Sequence, residues 1–197
     1  MNSPARPPER LLDLRNTLDD LVADGLLDRR DANFLAGTPR SRENALLHPL
    51  TFIAKMNLQD QQRPGKLLDE ERLTHWLAEK SGQPYYHIDP LKIDVGKSTE
   101  MMSFAFAKRH QILCVQVGKD EILVASSQPW AYAWEAALKH TARRDIRRVV
   151  AKPSDLARYT VEFYALSRSV SDARDTDYGN AVNIGNFEQL LKLSELK

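Results

Sequence analysis

The chain has 197 residues and a formal net charge of +1 at pH 7, with 42% hydrophobic and 28% charged residues. That balance supplies a core but no global basic field for nucleic acid. No run reaches the roughly 18 apolar residues of a membrane helix, and Met1 to Arg6 lacks the apolar stretch of a secretory signal. A single cysteine, Cys114, makes neither an intrachain disulfide nor a cysteine metal cluster and fits a reducing cytoplasm; within the apolar run Ile112–Val117 it reads as a small buried hydrophobe.

Residues 1–7 are polar and proline-containing and are expected to be mobile. From Pro8 a helical period begins, with Leu11, Leu14, Leu18, Leu21 and Val22 on one stripe and Gly25 as a stop. Leu26 and Leu27 precede Asp28, a good N-cap for a second short helix through Ala36 that ends at Gly37 and Pro39. Residues 38–49 read as a loop, Leu50 to Leu58 as a short helix and 59–66 as a breaker-rich connection. Leu67-Leu68-Asp69 then repeats the earlier phrase, followed by a helix with Leu73, Trp76 and Leu77 on one face and an end at Ser81-Gly82. Two such occurrences make a weak repeat, not a solenoid.

Beyond residue 83 the texture changes. Pro84 to Ile88 looks extended, and residues 98–109 look helical through Met101, Phe104 and Ala105. Ile112–Val117 and Glu121–Ser126 read as strands joined by the turn Gly118-Lys119-Asp120. Trp130, Ala133, Trp134, Ala137 and Leu138 suggest an amphipathic helix after Pro129, with both tryptophans read as core. Ile146–Ala151 reads as a third strand, and Pro153 opens a last helix with Leu156, Tyr159 and Phe163 inward. The expected class is α+β: an N-terminal helical hairpin region, then a small module whose short, mainly antiparallel sheet is covered by helices. The expected divisions are a helical region 1–60, an α+β docking module 61–166, a flexible linker 167–185 rich in Ser, Asp and Gly, and the start of a following segment at 186–197, as if the natural chain continues.

No motif assembles chemistry. Gly96-Lys97-Ser98-Thr99 has the end of a phosphate-binding loop, but the first glycine of G-x-x-x-x-G-K-[ST] would fall on Leu91, so Ser98 or Thr99 is read as a helix cap and Lys97 as solvated. The five histidines, at 48, 75, 87, 110 and 140, lack metal-ligand spacing. The acidic pairs suit solvated helix faces and helix N-termini, and no serine has a nucleophile-elbow setting. The one dense basic cluster is Lys139, His140, Arg143, Arg144, Arg147 and Arg148. It reads either as a patch for an anion, a lipid headgroup or an acidic partner, or as a helix C-terminus followed by an edge strand.

Residues 67–95, LLDEERLTHWLAEKSGQPYYHIDPLKIDV, carry Leu77-Ala78 to Gly82 and Pro84, then Ile88-Asp89-Pro90-Leu91. Ala107–His110, Val124-Ala125 to Pro129, and Val149–Pro153 with Asp155-Leu156 and Tyr159 or Tyr164 follow in order. This series resembles the N-terminal region of the GspE/PilB-type traffic ATPases of type II secretion and type IV pilus assembly, well over 67–165 and loosely over 10–37. The resemblance implies a non-catalytic docking or regulatory part without cofactor or metal, since the motor, with its P-loop and acidic boxes, lies C-terminal in that family. It further implies a cytoplasmic location at the inner face of the inner membrane, with the cytoplasmic domain of a platform protein and the parent hexamer as partners. The stripe Leu11, Leu14, Leu18, Leu21 and Val22 is the candidate docking surface, with packing on the rest of the chain as the competing role.

Some members of that family bind cyclic di-GMP through two copies of an R-L-G-x-x-L…L-x-x-x-L-x-x-Q pattern. Aligned on Leu26-Leu27, the first copy here begins Asn16-Thr17-Leu18 and lacks arginine and glycine. In the second region Arg63-Pro64-Gly65 sits too close to Leu67-Leu68, and the terminal glutamine is Lys80. Binding of that dinucleotide is therefore the alternative, not the leading expectation.

Overall fold

The computed structural model describes residues 6–171. The N-terminal half is helical: α1 (Leu14–Ala23), α2 (Arg29–Gly37), α3 (Arg42–Ala45), α4 (Pro49–Lys55) and α5 (Glu70–Ser81). Most start on a side-chain acceptor that satisfies a first-turn N–H. Asp28 accepts from the Arg30 N–H at 2.7 Å and Asp69 from the Arg72 N–H at 2.7 Å, so both Leu-Leu-Asp phrases are cap signals. Asp13 does the same for α1, accepting from the Asn16 N–H at 3.0 Å. That cap starts the helix at Leu14 instead of at Pro8, and Leu11 lies outside it. Residues 38–49, expected to be loop throughout, contain the single turn of α3, capped by Ser41.

The second half adds α6 (Val95–Glu100), α7 (Phe104–His110), β1 (Ile112–Val117), β2 (Glu121–Ser126), α8 (Trp134–Ala142) and β3 (Asp145–Val150). A last helix, α9, runs from residue 153 to at least 171. The helix expected over 98–109 is thus two, because Ser103 caps a new start by accepting from the Phe106 N–H. Trp130 precedes α8 instead of joining it. The sheet order is β1-β2-β3. β1 and β2 form an antiparallel hairpin, with a bulge between Cys114 and Gln116. Gly118 closes that hairpin where a Cβ would lie 2.9 Å from the Glu121 carbonyl oxygen. β3 pairs with β2 in parallel because α8 crosses over between them, so the α+β class holds with a mixed sheet. The extended piece near Tyr85 bridges the end of β3: the Tyr86 N–H donates to the Val150 carbonyl and the Val150 N–H to that of Pro84, both at 2.8 Å.

Two apolar cores result. One gathers the leucines of α1, α2, α4 and α5 with Trp76, and takes in Trp130 and Val150 from the second half. The other spans Ile88 to Tyr164 and contains Cys114, Trp134, Leu138 and Phe163. Helix α5, within the expected module 61–166, packs with the first core. α9 continues through 167–171, into the expected linker; residues 172–185 and 186–197 lie outside the described residues.

The segment Ser127–Trp130 ties the cores together. The Ser127 carbonyl accepts from His48 Nε2 at 2.9 Å, Gln128 Oε1 from the Leu12 N–H at 2.8 Å, and the Pro129 carbonyl from Gln83 Nε2 at 3.0 Å. The Trp130 carbonyl accepts from the Arg10 N–H at 3.1 Å, and the Arg10 guanidinium lies 4.3 Å from the Trp130 ring centroid. Residues 6–12, in part expected to be mobile, thus form a strap. Glu9 takes the N–H groups of Tyr132 and Ala133 at the entrance to α8, which has no side-chain cap of its own.

Candidate functional site

At the seam between the cores lies an open apolar groove of about 620 Å³. One wall is Leu46, Leu47, His48 and Thr51; the other is Phe104, Ala107 and Lys108 of α7 and Gln111 just after it, with Leu156, Ala157, Thr160 and Val161 of α9. Its rim carries two bare apolar side chains, Leu46 at 83% exposure and Val161 at 54%. Val161 shares a helix face with Ala157, one turn earlier. Helix α3 ends at Ala45, and Leu46, its C-cap, lies outside the first core.

The titratable groups His48, in the groove wall, and Glu70, beside it, are held by internal hydrogen bonds. His48 caps α4: its Nδ1 accepts from the Leu50 N–H at 3.2 Å, and Nε2–H donates to Ser127. Burial pushes the ring's pKa down to about 4, so it is neutral near pH 7 with both nitrogens engaged and has no lone pair free for base catalysis. Glu70 accepts from the Thr51 hydroxyl at 2.7 Å, the Ser154 N–H at 3.0 Å and the Ser154 hydroxyl at 2.6 Å, joining α4 and α5 to the first turn of α9. The groove can hold apolar side chains; it has no acid–base pair to break a bond.

The residues singled out from sequence lie elsewhere. Leu14, Leu18 and Leu21 are buried in the chain's own first core and Val22 packs against it, so the competing packing role accounts for them; only Leu11, at 67% exposure, faces solvent. The basic cluster is largely paired internally. Lys139 meets Asp145 at 2.6 Å, Arg147 meets Glu121 at 3.4 Å, and Arg144 donates to the Gly118 and Ala142 carbonyls. Arg148 is buried, donating to Glu135 at 2.9 Å and the Gln128 carbonyl at 3.1 Å beside the Trp134 ring. Arg143, at the left-handed C-cap of α8, has no ion pair among the described residues.

Gly96-Lys97-Ser98-Thr99 lies inside α6, not in a loop. Asp94 is the cap, in place of Ser98 or Thr99, and also pairs with Lys97 at 3.3 Å, while buried Ser98 donates to the Cys114 carbonyl. Burial pushes the Cys114 thiol up to about 11, which suits a core residue. No group of three potential metal ligands comes together among the described residues. In the first half, Leu18 is buried and Arg63 donates to Asp60 at 2.7 Å. The groove was not identified from sequence. One signal was present: Val161 falls between Thr160 and Glu162, off the inward stripe of Leu156 and Phe163.

Residues 81–170 match the MshEN domain model. The chain is 38% identical over 185 residues to the type IV pilus assembly ATPase TfpB of Acinetobacter baylyi, an alignment that takes in 93% of this chain and 32% of that relative. The chain thus spans about a third of the relative's length. Its fold is like that of MshE determined with cdg, at a TM-score of 0.51 and 17% identity over 75% of this chain and 98% of that one. The N-terminal domain of XpsE aligns at a TM-score of 0.47 and 13% identity over 76% and 95%. No helix among the described residues is long and apolar enough to cross a membrane. The chain belongs to the N-terminal region of the GspE/PilB-type ATPases and does not include their catalytic core.

Proposed function

We propose that this chain is a docking module that holds a type II secretion or type IV pilus motor to the cytoplasmic domain of an inner-membrane platform protein, at the cytoplasmic face of that membrane. The observation that supports this most is the seam groove, with apolar walls, Leu46 and Val161 bare at the rim, and His48 and Glu70 already engaged in internal hydrogen bonds. A surface of that kind gains free energy by covering apolar area. The reading requires no resident cofactor. Its test is calorimetry of the chain with the platform protein's cytoplasmic domain. Val161→Asp and Leu46→Asp are each expected to weaken binding at least tenfold, about 1.4 kcal/mol; unchanged affinity in both would refute it.

A second reading, cyclic di-GMP sensing, has in its favour the fold likeness to MshE determined with cdg. Against it stand Asn16-Thr17-Leu18 in place of the arginine-glycine phrase and the pairing of Arg63 with Asp60. Titration with the dinucleotide separates the two: saturable heat at micromolar concentration would establish sensing, and its absence leaves docking.

A further inference from the structure

We propose that the seam groove receives an acidic amphipathic helix of the partner; this rests on the docking reading above and adds the chemistry of what docks. The groove is concave, with helices α7 and α9 on one side and the α3–α4 connection with Thr51 of α4 on the other, and its volume is about 620 Å³. A helix laid in such a groove presents apolar residues at i, i+3 or i+4 and i+7. The charge comes from the surroundings. Lys108 stands in the wall with its Nζ 5.9 Å from the Phe104 ring centroid and has no ion pair among the described residues. Arg42 lies one turn before Leu46 and Lys55 one turn after Thr51, on helix faces that carry groove residues. Neither has an ion pair among the described residues.

The acids on the same flanks do not offset them. Glu70 is held by Thr51 and Ser154, and Glu162 faces Arg158 at 4.0 Å, while Arg158 also meets Asp155 at 3.2 Å. Glu43 alone lies on α3 without such a partner. Lys108 in the wall, with Arg42 and Lys55 a turn away from lining residues and Glu43 as the unpaired acid, leaves a positive balance that favours carboxylates on the incoming helix, both in encounter and in register. A concave groove suits a helix better than a flat lipid surface.

The test uses fluorescein-labelled, alanine-based helical peptides of about 15 residues with leucines at the spacing above, flanked by glutamates in one and lysines in the other. Vesicles of phosphatidylglycerol are the third probe. The glutamate peptide is expected to bind at least tenfold more tightly than the lysine peptide at low salt. Lys108→Glu is expected to narrow or reverse that preference, and Val161→Asp to abolish binding while circular dichroism stays unchanged. Equal binding of the two peptides, preference for lysine, no binding, or binding to vesicles alone would overturn the proposal. Loss of charge preference alongside platform-protein binding that Val161→Asp abolishes removes only the acidic-helix assignment. Platform-protein binding indifferent to both Val161→Asp and Leu46→Asp removes the docking reading itself.

Discussion

His48 shows how one side chain can serve a helix cap and an inter-core contact at once. Its ring bonds the Leu50 N–H on one side and the Ser127 carbonyl on the other, and burial depresses its pKa to about 4 from an ordinary value near 6.5. Between those values the unfolded chain binds a proton that the folded chain does not, so stability rises with pH across the interval and falls as pH drops through it. A loss on the order of 2 kcal/mol between pH 7 and pH 4 is expected from this residue. Urea midpoints measured against pH should lose that slope in His48→Gln. Asp60 is shifted in the same direction for the opposite reason, since there the charged form is the one favoured. Burial of its carboxylate would raise the pKa, but bonds from Arg63, the Gln62 N–H and Arg72 outweigh it and hold the group below the ordinary carboxylate range. Its stabilising effect is present above pH 4 and is lost as pH falls through the depressed folded value. Asp60→Ala leaves two guanidinium groups without their shared anion and is expected to cost about 3 kcal/mol in chemical denaturation.

At the scale of elements, helix ends carry much of the specification. Gly82 closes α5 at a φ of 68°, a left-handed conformation that a Cβ disfavours, so Gly82→Ala is expected to lower stability by about 1 kcal/mol. Gly118→Ala should cost a similar amount for a different reason, the 2.9 Å approach to the Glu121 carbonyl. Glu70 is a remote cap: it reaches from the start of α5 to the Ser154 N–H in the first turn of α9. Glu70→Ala removes that link and the Thr51 bond, with an expected cost of about 2 kcal/mol read from the thermal midpoint. The caps at Asp28 and Asp69, the hairpin at Gly118 and the strand runs were legible in the sequence because each depends on neighbours a few residues away. The start of α1 was displaced from Pro8 to Leu14 for an equally local reason: the Asp13 cap outweighs the continued leucine period.

For the whole molecule, the seam decides what is presented to a partner. The first-helix stripe was a reasonable docking surface as a pattern, yet Leu14, Leu18 and Leu21 meet leucines of α2, α4 and α5 and are covered. The basic cluster likewise dissolves into pairs with Asp145, Glu121 and Glu135, which lie on other elements. What remains open is the groove between α3–α4 and α7–α9, assembled from segments more than a hundred residues apart. By itself the sequence determined the α+β class, the starts of α2, α4, α5 and α9, the hairpin and the resemblance to traffic ATPases, because caps, turns and periodicity are local and the resemblance is a matter of order along the chain. Only the tertiary structure decided which apolar side chains are covered and which stay bare, because the exposure of a residue such as Val161 depends on what distant chain packs beside it.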